Sequence, residues 1–101
     1  MAKLRKNTDR VDVDSVKPDG AIVARARGFA RQAHGRQTRK YSGEPYIQHL
    51  DSVVRILRSF GIDSPRVLCA AYLHDTVEDT STTIEHIFDV FGEDIAELVY
   101  W

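Results

Sequence analysis

A chain of 101 residues, 43% hydrophobic and 29% charged, is long enough for one globular domain and too apolar to be wholly disordered. Its 14 basic and 15 acidic side chains nearly cancel to a formal net charge of −1, so no global field favours nucleic acid or an anionic membrane, and neither is expected as a partner. The lone Cys69 excludes a disulfide framework, no apolar run approaches the roughly 18–20 residues of a membrane span, and the basic N-terminus lacks the apolar core of a secretory signal. A soluble, cytoplasmic protein is the expectation.

Residues 1–20 are polar and hold no helical or strand period, with Lys3, Arg5, Lys6 and Arg10 offset by Asp12, Asp14 and Asp19. They read as a poorly ordered leader before a domain over residues 21–101. From Ala21, the apolar residues Ile22, Ala26, Phe29, Ala30 and Ala33 draw one helical stripe that Gly35 stops. A basic, turn-rich loop follows, Arg36-Gln37-Thr38-Arg39-Lys40-Tyr41-Ser42-Gly43-Glu44-Pro45. Ile47, Leu50, Val53, Val54, Leu57 and Phe60 then mark the inner face of a second helix, closed by Gly61.

Ser64 and Pro65 open a third helix, as N-cap and first helical residue, and it runs to about Val77. Thr82 and Glu85 read as a capping box for a short fourth helix with Ile84, Ile87, Phe88 and Phe91 inside, ended by Gly92. A fifth helix starts near Glu93 and turns Ile95, Leu98 and Val99 inward. No strand-period segment of useful length exists, so the fold class is all-α with about five helices. The apolar run Leu98 to Trp101 gives the domain a truncated look and calls for a missing segment or a partner to cover it.

The chemistry gathers in Leu73-His74-Asp75-Thr76-Val77-Glu78-Asp79, where an apolar helix runs straight into one imidazole and three carboxylates. On a helix, Asp75 and Glu78 share a face, as do His74 with Glu78 and Asp75 with Asp79. Carboxylates at a helix C-terminus oppose the macrodipole by about 0.3–1 kcal/mol each. A divalent cation is the simplest compensation; a solvated acidic helix end beside a core histidine is the bland alternative. His49, early in the second helix, could add an imidazole to the His74-Asp75 pair. Mixed nitrogen and oxygen ligation suits Mn or Fe at least as well as Zn. His34 reads as structural, bonded within the helix–loop corner, and His86 as a surface residue.

Several pieces then match one family in order and spacing: Ala33-His34-Gly35-Arg36-Gln37, Arg39-Lys40, Ser42-Gly43-Glu44-Pro45-Tyr46-Ile47-Gln48-His49, and Ala70-Ala71-Tyr72-Leu73-His74-Asp75-Thr76-Val77-Glu78-Asp79-Thr80, followed by Phe91-Gly92 and Leu98-Val99. Over about three quarters of its length the chain resembles the hydrolase domain of RelA/SpoT-type enzymes, within the HD-domain phosphohydrolase superfamily. The resemblance implies an HD-type helical bundle that removes pyrophosphate from the 3′ position of guanosine tetra- and pentaphosphate. It implies His49, His74 and Asp75 as ligands of a catalytic Mn2+, Glu78 and Asp79 as the pair that handles the attacking water, and Arg39 and Lys40 as substrate-binding cations.

Three departures stand out. Tyr41 is an extra residue between Arg39-Lys40 and Ser42-Gly43, Leu50 replaces a proline, and the family's fourth metal ligand, an aspartate on a later helix, has no counterpart in these 101 residues. Two other readings stay open: a hydrolase of another nucleotide phosphate, such as NADPH, and a non-catalytic module that binds metal, nucleotide or a partner.

Overall fold

A computed structural model describes residues 18–101. Five helices follow one another: α1 (Pro18–His34), α2 (Tyr46–Ser59), α3 (Pro65–Asp79), α4 (Ile84–Phe91) and α5 (Glu93–Tyr100). Among the described residues there is no strand, only an isolated antiparallel bridge between Thr38 and Pro45. Residues 1–17 of the expected leader lie outside the described residues, and α1 begins at Pro18, ahead of the expected Ala21.

α3 is the axis of the bundle. It packs on α1, α5 and α2, most extensively on α1, while α4 rests on α5. Its sequence suits that position, because Leu68, Cys69, Tyr72, Leu73 and Thr76 are all buried on one continuous face, and Ala70, Ala71 and Val77 pack partly buried beside them. The side of α1 towards the core is built from small residues one turn apart, Ala26 and Ala30, both fully buried. Side chains that small let two helix backbones approach closely. Leu50 and Val54 of α2, Ile87 and Phe91 of α4, and Ile95, Ala96 and Val99 of α5 complete the core.

Several expected inner positions lie at the surface. Phe60 falls just past the end of α2 and is 78% exposed; Phe88 and Leu98 are also exposed. α4 and α5 are short, with eight residues each, so each buries only a narrow stripe. The cap of α4 is one residue later than expected: the Thr83 hydroxyl, not that of Thr82, accepts the amide of His86. Ser64 does hold the N-cap position ahead of Pro65, without a side-chain cap bond.

One polar network ties the first three helices. Arg27 on α1 grips both carboxylate oxygens of Asp51 on α2 at 2.8 Å, and the buried Tyr72 of α3 donates its hydroxyl to Asp51 at 2.6 Å. A buried phenol needs such an acceptor. The Arg27 bonds hold the Asp51 carboxyl below its ordinary 3.8, while burial and then the Asp51 bond push the Tyr72 hydroxyl up to about 12.

Three substitutions test this packing. A carboxyl depressed in the folded state stabilises fully above its unfolded value, and that contribution is lost as pH falls through the folded value. Asp51→Asn is therefore expected to flatten the loss of stability below pH 3.8 in urea titrations, and to cost about 1–2 kcal/mol at neutral pH after allowance for partial exposure. Gly92 joins α4 to α5 at φ +92° with open space around it, so Gly92→Ala meets backbone strain alone and should cost about 1–3 kcal/mol. Gly28, inside α1 with equally open space, should give the opposite sign, with Gly28→Ala stabilising by about 0.5–1 kcal/mol.

Candidate active site

The C-terminal end of α3 gathers the imidazole and carboxylates of the candidate site. Thr76, fully buried, directs its hydroxyl back to the Leu73 carbonyl at 2.6 Å, and Thr80 caps the end by bonding the Thr76 carbonyl through both its amide and its hydroxyl. α3 thereby persists to Asp79, two residues beyond the expected Val77. That extra half turn keeps His74, Asp75, Glu78 and Asp79 on one helical rim.

Asp75 is the most constrained of the four. The Tyr46 hydroxyl donates to its Oδ2 at 2.6 Å, and His74 Nδ1 lies 3.2 Å from its Oδ1. Burial is the largest single influence and pushes the Asp75 carboxyl up. The bonds from Tyr46 and then His74 outweigh it, so the group sits below its ordinary range and is ionised at neutral pH. Asp79 lies 3.4 Å from the same Tyr46 oxygen. A phenol has one proton, and the shorter distance gives it to Asp75. Burial, then the Asp75 bond, drives the Tyr46 hydroxyl well above its ordinary value. Glu78 is exposed, with an oxygen 3.9 Å from His74 Nε2.

Tyr46 is the hub that the sequence reading missed. It opens α2, and its amide bonds the Gln37 carbonyl at 3.0 Å, which closes the basic loop at its base. Its ring stacks on His34, with centroids 4.3 Å apart and planes 19° apart, and meets His49 edge-on at 5.5 Å. The signal that could have exposed it was the i,i+3 spacing of Tyr46 and His49, which puts both on one helical face. His34 takes the expected structural place: it is buried and its Nδ1 lies 2.8 Å from Gln37 Oε1. Since that amide oxygen can only accept, Nδ1 carries the proton, and Nε2 is left buried without a partner. His86 is exposed, as expected, with its ring edge-on to Phe29.

His49 stands on α2, edge-on to Tyr46. Its Nδ1 lies 2.9 Å from Arg39 Nη1. A guanidinium only donates, so Nδ1 accepts and the proton of a neutral ring sits on Nε2. Ligation through Nε2 needs the opposite tautomer and therefore release of Arg39. Consistent with this, no three His, Cys, Asp or Glu side chains among the described residues stand close enough together to hold a metal ion. The structure pairs His74 with Asp75 and bridges Asp75 towards Asp79 through Tyr46, whereas His49 is turned to Arg39.

Arg39 and Lys40 are both exposed and line a cavity of about 460 Å3 in the loop, with Tyr46 in its wall. A family model described as an HD domain matches residues 26–100, the stretch that contains this whole constellation. The chain belongs to the HD-domain family. It is similar to a guanosine-3′,5′-bis(diphosphate) 3′-pyrophosphohydrolase of Aquifex aeolicus, at 49% identity over 77 residues, which is 76% of this chain and 11% of that protein. It is similar also to the guanosine-3′,5′-bis(diphosphate) 3′-pyrophosphohydrolase MESH1 of Xenopus tropicalis, at 47% over 83 residues, 80% of this chain and 46% of that one. A probable GTP pyrophosphokinase of Mycobacterium leprae is 46% identical over 83 residues, 82% of this chain and 10% of its own length. The chain thus spans about a tenth of the long relatives and just under half of MESH1.

The Tyr46 hydroxyl gives a direct test of the site's electrostatics. Tyr46→Phe keeps a ring against His34 but removes the largest influence holding the Asp75 carboxyl down, while the opposing burial stays. The Asp75 carboxyl is expected to titrate at higher pH in the variant than in the wild type, read by carbonyl 13C NMR.

Proposed function

We propose that this chain forms part of a metal-dependent phosphohydrolase that removes pyrophosphate from the 3′ position of guanosine tetra- and pentaphosphate. The observation that carries the reading is the half-buried, ionised Asp75 paired with His74 at the end of α3, next to a cationic cavity that shares Tyr46 as its wall. The relatives named for this reaction support it.

The donor set fits a divalent cation in kind: His49, His74 and the Asp75 carboxylate would hold it, with Mn2+ the favoured ion. Such an ion lowers the pKa of bound water and polarises a phosphoryl oxygen. The chain's own residues do the rest. Tyr46 fixes one oxygen of Asp75 and leaves the other towards His74. Glu78 and Asp79, on the same rim, are acceptors for the proton of the attacking water. Arg39 and Lys40 face the polyphosphate, Arg39 as a forked donor and Lys40 as a point charge. A soluble nucleotide substrate fits work in the cytoplasm, and no described helix is long and apolar enough to cross a membrane.

Incubation with guanosine tetraphosphate and Mn2+ is expected to release pyrophosphate. Asp75→Asn and Glu78→Gln should each slow it by about 100-fold or more. Arg39→Ala should raise KM for the nucleotide without weakening Mn2+ binding, because it removes a competitor for His49. Equal, negligible release by wild type and variants would contradict the proposal.

A further inference from the structure

We infer that Tyr41 is the platform on which the base of a phosphorylated nucleoside stacks, at the outer rim of the cavity that Tyr46 walls on the inside. The inference deepens the reading proposed above and rests on it. Tyr41 does not serve the core: it is 92% exposed. The contact its ring makes is with Lys40, whose Nζ lies 5.4 Å from the ring centroid. With so much of the residue in water, a ring face stays open beside that ammonium group.

The lining of the cavity combines cationic and aromatic groups. Tyr46, at one wall, bonds the Asp75 carboxylate. Arg39 and Lys40 supply two cations against the single carboxylate of Glu44, and Tyr41 supplies the aromatic surface. About 460 Å3 is a volume that suits a small organic ligand rather than a lone ion. A nucleotide has the matching sequence of groups, with anionic phosphates for the cations and a planar π-face for the ring. Stacking on tyrosine is insensitive to which base is present. Lys40 on the same ring adds a cation that attracts phosphate while holding the phenol in the loop. The loop backbone is set for this role by bonds from the Arg39 amide to the Glu44 carbonyl at 2.8 Å and from the Gly43 amide to the Arg39 carbonyl at 3.0 Å. The ring therefore projects from a closed turn.

The test is calorimetric binding without metal, so that no turnover intervenes, of guanosine tetraphosphate and of inorganic pyrophosphate to the wild type, Tyr41→Ala and Tyr41→Phe. The expected result is a Kd for the nucleotide about ten-fold higher in Tyr41→Ala, unchanged in Tyr41→Phe, with pyrophosphate binding equal in all three. Nucleotide binding by Tyr41→Ala as tight as wild type overturns the inference, and so does an equal weakening for pyrophosphate, which would mark a charge effect. Pyrophosphate release by the wild type, followed in parallel, separates the two levels. Release with no effect of Tyr41→Ala removes Tyr41 alone, whereas a wild type that neither binds nor cleaves the nucleotide removes both readings.

Discussion

The hydrogen bond from Tyr46 to Asp75, 2.6 Å long, is the constraint on which the candidate site depends. It crosses from the first turn of α2 to the last turns of α3 and joins the basic loop to the acidic helix end. A carboxylate at a helix C-terminus is opposed by the macrodipole and, here, by burial. Without a donor it would take up a proton more readily and lose value as a ligand. Tyr46 supplies that donor from a ring that is itself held by the buried His34, which is in turn held by Gln37. The order runs from loop to ring to carboxylate.

This arrangement needs α3 to be central. α3 packs on three other helices, and past Leu73 its polar residues His74, Asp75, Glu78 and Asp79 reach partial or full exposure while Thr76 stays buried. Ala26 and Ala30 let α1 lie close against it, which brings His34, at the end of α1, beside Tyr46. The Arg27–Asp51–Tyr72 network does for the far side of α1, α2 and α3 what Tyr46 does for the near side. The three helices are thereby pinned by polar contacts on two faces of one apolar core. α4 and α5 contribute burial and no side chain to the candidate site.

The fold was largely legible in the sequence because its signals are local. Helical periodicity, Pro65 after Ser64, and Gly35, Gly61 and Gly92 at helix ends are each read within a few residues, and each stands where a helix starts or stops. What misled was also local: Thr82 and Thr83 are chemically equivalent as caps, and only the turn geometry selects Thr83. Phe60 fits the stripe of its segment but falls past the end of α2, while Phe88 and Leu98 lie on eight-residue helices that among the described residues turn them outward. The site was legible as far as His74 and Asp75, adjacent in sequence. Tyr46 was not, because its role is set by contacts 29 residues away and by a stack across a loop. The Arg39–His49 contact likewise follows from how the loop folds back, which no spacing rule reports.

Under the proposed function, His49, His74 and Asp75 would be donors to one divalent cation at the end of α3, and His49 would have to exchange Arg39 for the ion. Titration with Mn2+ followed by electron paramagnetic resonance tests it most directly, on the wild type and on His49→Ala, His74→Ala and Asp75→Asn. One tight Mn2+ per wild-type chain is expected, with loss of that tight site in each of the three variants. A wild type without a tight site, or variants that bind Mn2+ as the wild type does, would contradict it.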